Sequence, residues 1–133
     1  MKFKYNVIGD NTAENRKWLE MLGYINFDYN IKGAHIVSYW SDRYKKQYFQ
    51  CVTYHQLIGM RVYESAINCI SNSPLFKAVS AMRDDSDYMQ WFTDGKYWFE
   101  NNKCANRYNK KHMPNYRKAT LTELQERFKE KER

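Results

Sequence analysis

The chain has 133 residues, 43% of them hydrophobic and 17% aromatic, with a formal net charge of +7 at pH 7. That length buries a core without staples, and the apolar share excludes a disordered chain. No run approaches the roughly 20 apolar residues of a membrane span, and the opening "MKFKYNVIGDN" is too interrupted for a secretory leader, so one soluble cytoplasmic domain over residues 1–133 is expected.

"KFKYNVI" alternates charged and apolar residues and predicts an opening strand. "DNTAENRKWLEMLGY" predicts a helix, with Asn11 and Glu14 as a capping box, an apolar face of Trp18, Leu19 and Leu22, and Gly23 as a left-handed stop. Strands follow at "YINFDYNI" and "HIVSYWS", around Lys32-Gly33, and at "QYFQCVTY". "RVYESAINCI" is ambiguous, with a strand expected over its last few residues. "SPLFKAVSAMR" predicts a second helix, with Ser73 as cap, Pro74 in the first position and Leu75, Phe76, Val79 and Met82 as the buried stripe.

"YMQWF-TDG-KYWF" predicts a hairpin turning at Asp94-Gly95, with Met89, Trp91 and Trp98 on one face and Tyr88, Gln90 and Phe92 on the other. "NYRKA" predicts a last short strand, and "TLTELQERFKEKER" a third helix with a Thr120/Glu123 capping box and Leu121, Leu124 and Phe128 along one side. The expected fold is α+β, a mostly antiparallel twisted sheet with three short helices. A weak strand–helix–strand repetition links residues 3–29 with 66–92, and residues 116–131 look like a truncated third copy. Its period is not constant, so no solenoid is expected. Cys51, Cys69 and Cys104 are odd in number and far apart, which suits reduced, mostly buried thiols better than a disulfide framework.

Charge is unevenly spread: residues 32–61 carry net +4, residues 62–100 net −3 and residues 101–133 net +6. In the segment 101–118, Lys103, Arg107, Lys110, Lys111, Arg117 and Lys118 are interleaved with Tyr108, His112, Tyr116 and several asparagines. Cations neutralise phosphates and aromatic rings stack on bases, so this segment is a candidate binding site for a nucleotide or nucleic acid. Arg43, Lys45 and Lys46 form a second basic cluster that extends the candidate site. The competing reading is a solvated basic loop, or a basic face that meets an acidic protein.

"RDDSD" sets Arg83 beside Asp84, Asp85 and Asp87 at a helix end, where carboxylates are locally unfavourable. A hard-cation site would use these oxygens. No Asp-x-Asp-x-Asp-Gly loop or downstream bidentate Glu accompanies them. They are read instead as a junction that fixes how the hairpin leaves the helix, with Trp91 close by and basic residues of 101–118 as partners. No metal, cofactor or catalytic residue is assigned. No phosphate-cradling Gly-rich loop, His-Glu-x-x-His or Gly-x-Ser-x-Gly is present, and Cys51 and His55 are spaced too far apart on a strand for a nucleophile–base pair. A non-enzymatic protein is expected.

"DNTAENRKWLEMLGY", "FKAVSAMRDDSDYMQWFTDG" and "RKATLTELQERF" resemble a set of short proteins encoded by bacteriophages and prophages of gut bacteria. The shared features are Asn-Thr-x-Glu-x-Arg before Leu-Gly-Tyr, Arg-Asp-Asp-x-Asp before Gln-Trp-Phe, and Lys-Ala-Thr before a Glu-Leu helix. Three patches covering roughly half the chain carry the likeness, and residues 32–65 and 100–115 stand outside it. The resemblance implies a phage accessory protein working in the host bacterial cytoplasm, against a process such as antiviral defence. Two modes of action stay open. One is sequestration of a nucleotide signal or nucleic acid by a basic and aromatic surface. The other is docking on a host defence enzyme as an inhibitor. The aromatic surface and the size make a homodimer the default assembly.

Overall fold

The computed structural model describes residues 2–28, 32–101 and 111–129. In chain order its strands are β1 (Val7–Asp10), β2 (Ile25–Asp28), β3 (His35–Ser41), β4 (Lys46–Val52), β5 (Ile67–Asn68), β6 (Gln90–Thr93), β7 (Trp98–Asn101) and β8 (Arg117–Lys118). Its helices are α1 (Ala13–Leu22), α2 (Tyr54–Ile58), α3 (Ser73–Ser80) and α4 (Leu121–Arg127), with a 3₁₀ turn at Arg61–Tyr63. The class is α+β, with two sheets where one was expected. The larger runs β2-β4-β3-β1-β5 and the smaller runs β7-β6-β8. Pairing is antiparallel except at β1–β5 and β2–β4.

Alternation along β3 and β4 sorts the core. One face of the larger sheet presents Val7, Ile36, Phe49 and Cys51, which α1 and α3 cover with Leu19, Leu22, Phe76 and Val79. Burying side chains of this size stabilises by about 1.5–3 kcal/mol each. The opposite face presents Ile8, Val37 and Val52, covered at one end by Leu57 of α2 and by Met60 and Val62 around the 3₁₀ turn. Toward the other end of that face, Tyr39 pairs across strands with Tyr48. Both are half-buried, and Phe27 beside them is 60% exposed.

Several expectations need correction. The opening strand begins at Val7, not Lys2, because Lys4 N–H donates to Met82 O at 2.9 Å and ties residues 2–6 to the end of α3. Thr12, not Asn11, caps α1, its hydroxyl accepting from Asn15 N–H at 3.1 Å. The Asn11 amide is turned to Gly33 O at 2.6 Å. Glu14 pairs with Lys77 instead of closing a capping box. Asn72, not Ser73, caps α3, and its side chain also donates to Phe128 O at 2.8 Å. A fourth helix, α2, starts at a Thr53/Gln56 capping box. The hairpin loop is longer than Thr93-Asp94-Gly95, since Thr93 pairs with Trp98. The Asp94 carboxylate accepts from Lys96 and Tyr97 N–H at 2.9 and 2.8 Å, which holds its pKa below the usual range.

Gly23 adopts φ 106° at the end of α1, as expected. Both hairpin faces sort as expected at Trp91 with Trp98, whose rings lie 6.4 Å apart, and at Phe92, which is buried. The repetition survives in part. β1–α1 and β5–α3 are matching strand–helix units, with β1 and β5 parallel neighbours. The likeness ends there, because β2 joins the larger sheet beyond β4 whereas β6 belongs to the smaller sheet. Cys51 and Cys69 are buried, and burial pushes the Cys69 thiol up to about 12. Cys104 lies outside the described residues.

Candidate functional site: a basic and aromatic groove

A groove of about 700 Å³ lies against the larger sheet. β1 pairs with β3 only as far as Val37, so the following residues of β3 face the segment 2–6 across a gap. Tyr39 and Gln50 from β3 and β4 contribute to the floor, and Met60, Arg61, Val62 and Ser65 form the wall from the 3₁₀ segment. Lys2, Lys4 and Arg61 line this groove with one acid, Asp42, and Lys4 also lies 3.7 Å from Asp84. Asp42 accepts from Trp40 Nε1–H at 3.1 Å, which orients the indole. The Lys2 ammonium stands 5.6 Å from the centre of the same ring.

Local bonding fixes both walls. Residues 2–6 are held by Lys4 N–H on Met82 O, and by Asn6 O accepting from Ile67 N–H at 2.8 Å. Just beyond them, Val7 N–H donates to Ser38 Oγ at 2.8 Å. The 3₁₀ segment is closed by Tyr63 N–H on Met60 O at 3.1 Å and Ala66 N–H on Val62 O at 2.9 Å. Cations on braced backbone beside an oriented indole and a phenol suit a ligand that carries both phosphate and a planar ring.

The residues singled out from the sequence fall in three places. Arg43, Lys45 and Lys46 are exposed at the β3–β4 turn, where Lys45 takes a left-handed conformation with φ 53° and, with Lys46, lines a separate concavity beside Gly23 and Ile25. Lys103, Arg107, Tyr108 and Lys110 lie outside the described residues. Lys111 and His112 are exposed before β8. Tyr116 packs its ring 5.3 Å from Phe99. Arg117 makes a two-pronged bond to Glu123 at 2.6 and 3.0 Å. Its guanidinium, together with the Thr120 N–H, holds the Glu123 carboxyl at about 2, well below the usual carboxylate range.

Lys118 turns toward the acidic junction. Its ammonium donates to Arg83 O at 3.2 Å and Ser86 O at 2.6 Å, and lies 3.3 Å from an Asp87 oxygen. The junction therefore does pair with a basic residue of 101–118. Arg83 is 5% exposed, its guanidinium 5.1 Å from the Phe3 ring and 5.8 Å from Tyr88. Asp84 lies 3.7 Å from Lys4 at the surface, and Asp85 is exposed. Among the described residues no group of three His, Cys, Asp or Glu side chains could hold a metal ion. Trp91 is covered by Arg127, 5.2 Å from its ring, and packs on Phe128.

Lys2, Lys4, Tyr39, Trp40 and Arg61 were not singled out as site residues from the sequence. Lys2 and Lys4 read there as the polar half of a strand, and Arg61 opened an ambiguous segment. The net +4 of residues 32–61 was the one sign that pointed toward this region. Among the described residues no helix is long and apolar enough to cross a membrane. No family model matches the chain, and no curated protein or solved structure matches it.

Proposed function

We propose that this protein acts by binding, holding a phosphate-bearing ligand in the groove between residues 2–6 and the 3₁₀ segment. The observation that carries the reading is the convergence of Lys2, Lys4 and Arg61 on a groove lined by Tyr39 and Trp40. The cations take the phosphate and the rings take the base. This keeps the ligand class expected from the sequence and moves its centre away from 101–118, where Arg117 and Lys118 are engaged with Glu123 and the junction. The resemblance to phage proteins supports a cytoplasmic accessory protein that sequesters a nucleotide signal or nucleic acid from host defence.

The test is titration of a fluorescent nucleoside diphosphate against the wild type and the variant Lys2→Glu/Lys4→Glu/Arg61→Glu. The variant is expected to bind about 30-fold more weakly, the loss of roughly 2 kcal/mol of charge-assisted contact. Far-UV circular dichroism should be unchanged, because the altered groups lie at the groove surface. Equal affinity in the two proteins rules the reading out.

A second reading, docking on a host defence enzyme, is favoured by one observation. β2 is an edge strand among the described residues, and it carries the exposed Ile25 and Phe27 with Tyr44 nearby. Such an edge can add a partner strand. Capture of a host enzyme that survives nuclease treatment and is lost in Phe27→Asp would support it.

A further inference from the structure

The groove does not end at Tyr39. That ring lies 6.1 Å from Tyr48, which in turn lies 5.8 Å from Phe27 and 6.5 Å from Tyr44. Phe27 also lies 6.5 Å from Tyr39, so the rings of Tyr39, Tyr48 and Phe27 form a cluster across β3, β4 and β2, with Tyr44 at the β3–β4 turn, on the sheet face that α2 and the 3₁₀ segment leave open. Cations flank the cluster at both margins, with Lys2, Lys4 and Arg61 at the groove and Arg43, Lys45 and Lys46 at the β3–β4 turn. Tyr48, Phe27 and Tyr44 lie beyond the lining of the groove.

We infer that the groove is one end of a longer track, and that its ligand is a single-stranded nucleic acid lying across the sheet with successive bases on Tyr39, Tyr48 and Phe27. The inference rests on the phosphate-ligand reading above and extends it. Rings on adjacent strands stack on bases of any sequence, and flanking cations follow the backbone. The two basic margins match a polyanion longer than one phosphate group. A double helix hides its bases from such a surface, so duplex DNA is a poor ligand.

The experiment measures fluorescence anisotropy of the full chain with labelled mono-, di- and octanucleotides of dT and of U. Affinity is expected to rise about a hundredfold from mononucleotide to octanucleotide, since two further bases stack and each adds about tenfold. Phe27→Ala and Tyr48→Ala are expected to weaken octanucleotide binding about tenfold each, with a loss that grows with ligand length. Phe27 is 60% exposed, so its replacement keeps the test valid even where Tyr48→Ala disturbs folding. An octanucleotide that binds no better than a mononucleotide overturns the track and leaves the phosphate reading standing. Failure of every ligand overturns both. Loss of concentration-dependent self-association in Phe27→Ala, with octanucleotide affinity intact, also overturns the track and marks the face as a contact between two copies.

Discussion

Replacing Gly33 by alanine is expected to lower the melting temperature by about 12 °C or more, a loss of about 3 kcal/mol. A Cβ at Gly33 would stand 2.3 Å from Val52 C and 2.4 Å from Val52 O. Those atoms belong to backbone at the end of β4, paired with His35 of β3, so they cannot swing away as a side chain can. The approach is held from the other side by the Asn11 amide on Gly33 O and by Asn11 N–H on Ala34 O at 3.0 Å. The added methyl must therefore part β3 from β4 or break the tie to α1. Thermal unfolding followed by circular dichroism checks this, and a shift under about 2 °C would show that the strands yield more cheaply than the contacts imply.

Phe76→Ala is expected to cost about 3–5 kcal/mol, because the ring is fully buried and its loss leaves a cavity between α3 and the sheet. The same ring explains Gly9. A Cβ there would stand 2.3 Å from Phe76 Cδ2, so β1 meets α3 with nothing between backbone and ring. Gly9→Ala is therefore expected to destabilise the wild type and to be better tolerated once Phe76 is alanine. A double-mutant cycle by urea unfolding should give a coupling of about 1 kcal/mol or more between the two positions. Strict additivity would mean that the close packing of ring on glycine contributes little.

Most of the fold was legible because its signals are local. Leu75, Phe76 and Val79 repeat at helical spacing, "HIVSYWS" coincides with β3, and the Thr120/Glu123 capping box starts α4 where the sequence placed it. The misplaced caps came from runs with competing candidates. Asn11 and Thr12 can both cap, and the outcome was decided by Gly33, a residue distant in sequence whose carbonyl claims the Asn11 amide. α2 is five residues long, too short to show a periodic stripe, although its Thr53…Gln56 box was readable.

The candidate site was harder to read for the same reason at larger scale. It is assembled from residues 2–6, 39–50 and 60–65, and none of these stretches is conspicuous alone. Counting charge drew attention to 101–118, but a count says nothing about partners. Arg117 and Lys118 find theirs in Glu123 and in the carbonyls of the junction. The "RDDSD" stretch has its own contacts in the fold. Lys118 clasps it, Arg83 fills the space between Phe3 and Tyr88, and Asn101 Nδ2–H donates to Asp87 O at 3.1 Å.

That the groove, and not the basic segment before β8, holds the ligand is tested most directly by amide chemical-shift mapping. The measurement is a titration of the ¹⁵N-labelled protein with an unlabelled octanucleotide at low salt. The largest shifts are expected at Lys2–Asn6, Tyr39–Asp42 and Met60–Ser65, with smaller ones spreading to Tyr48 and Phe27. Shifts confined to residues 111–118, with the groove silent, would contradict it.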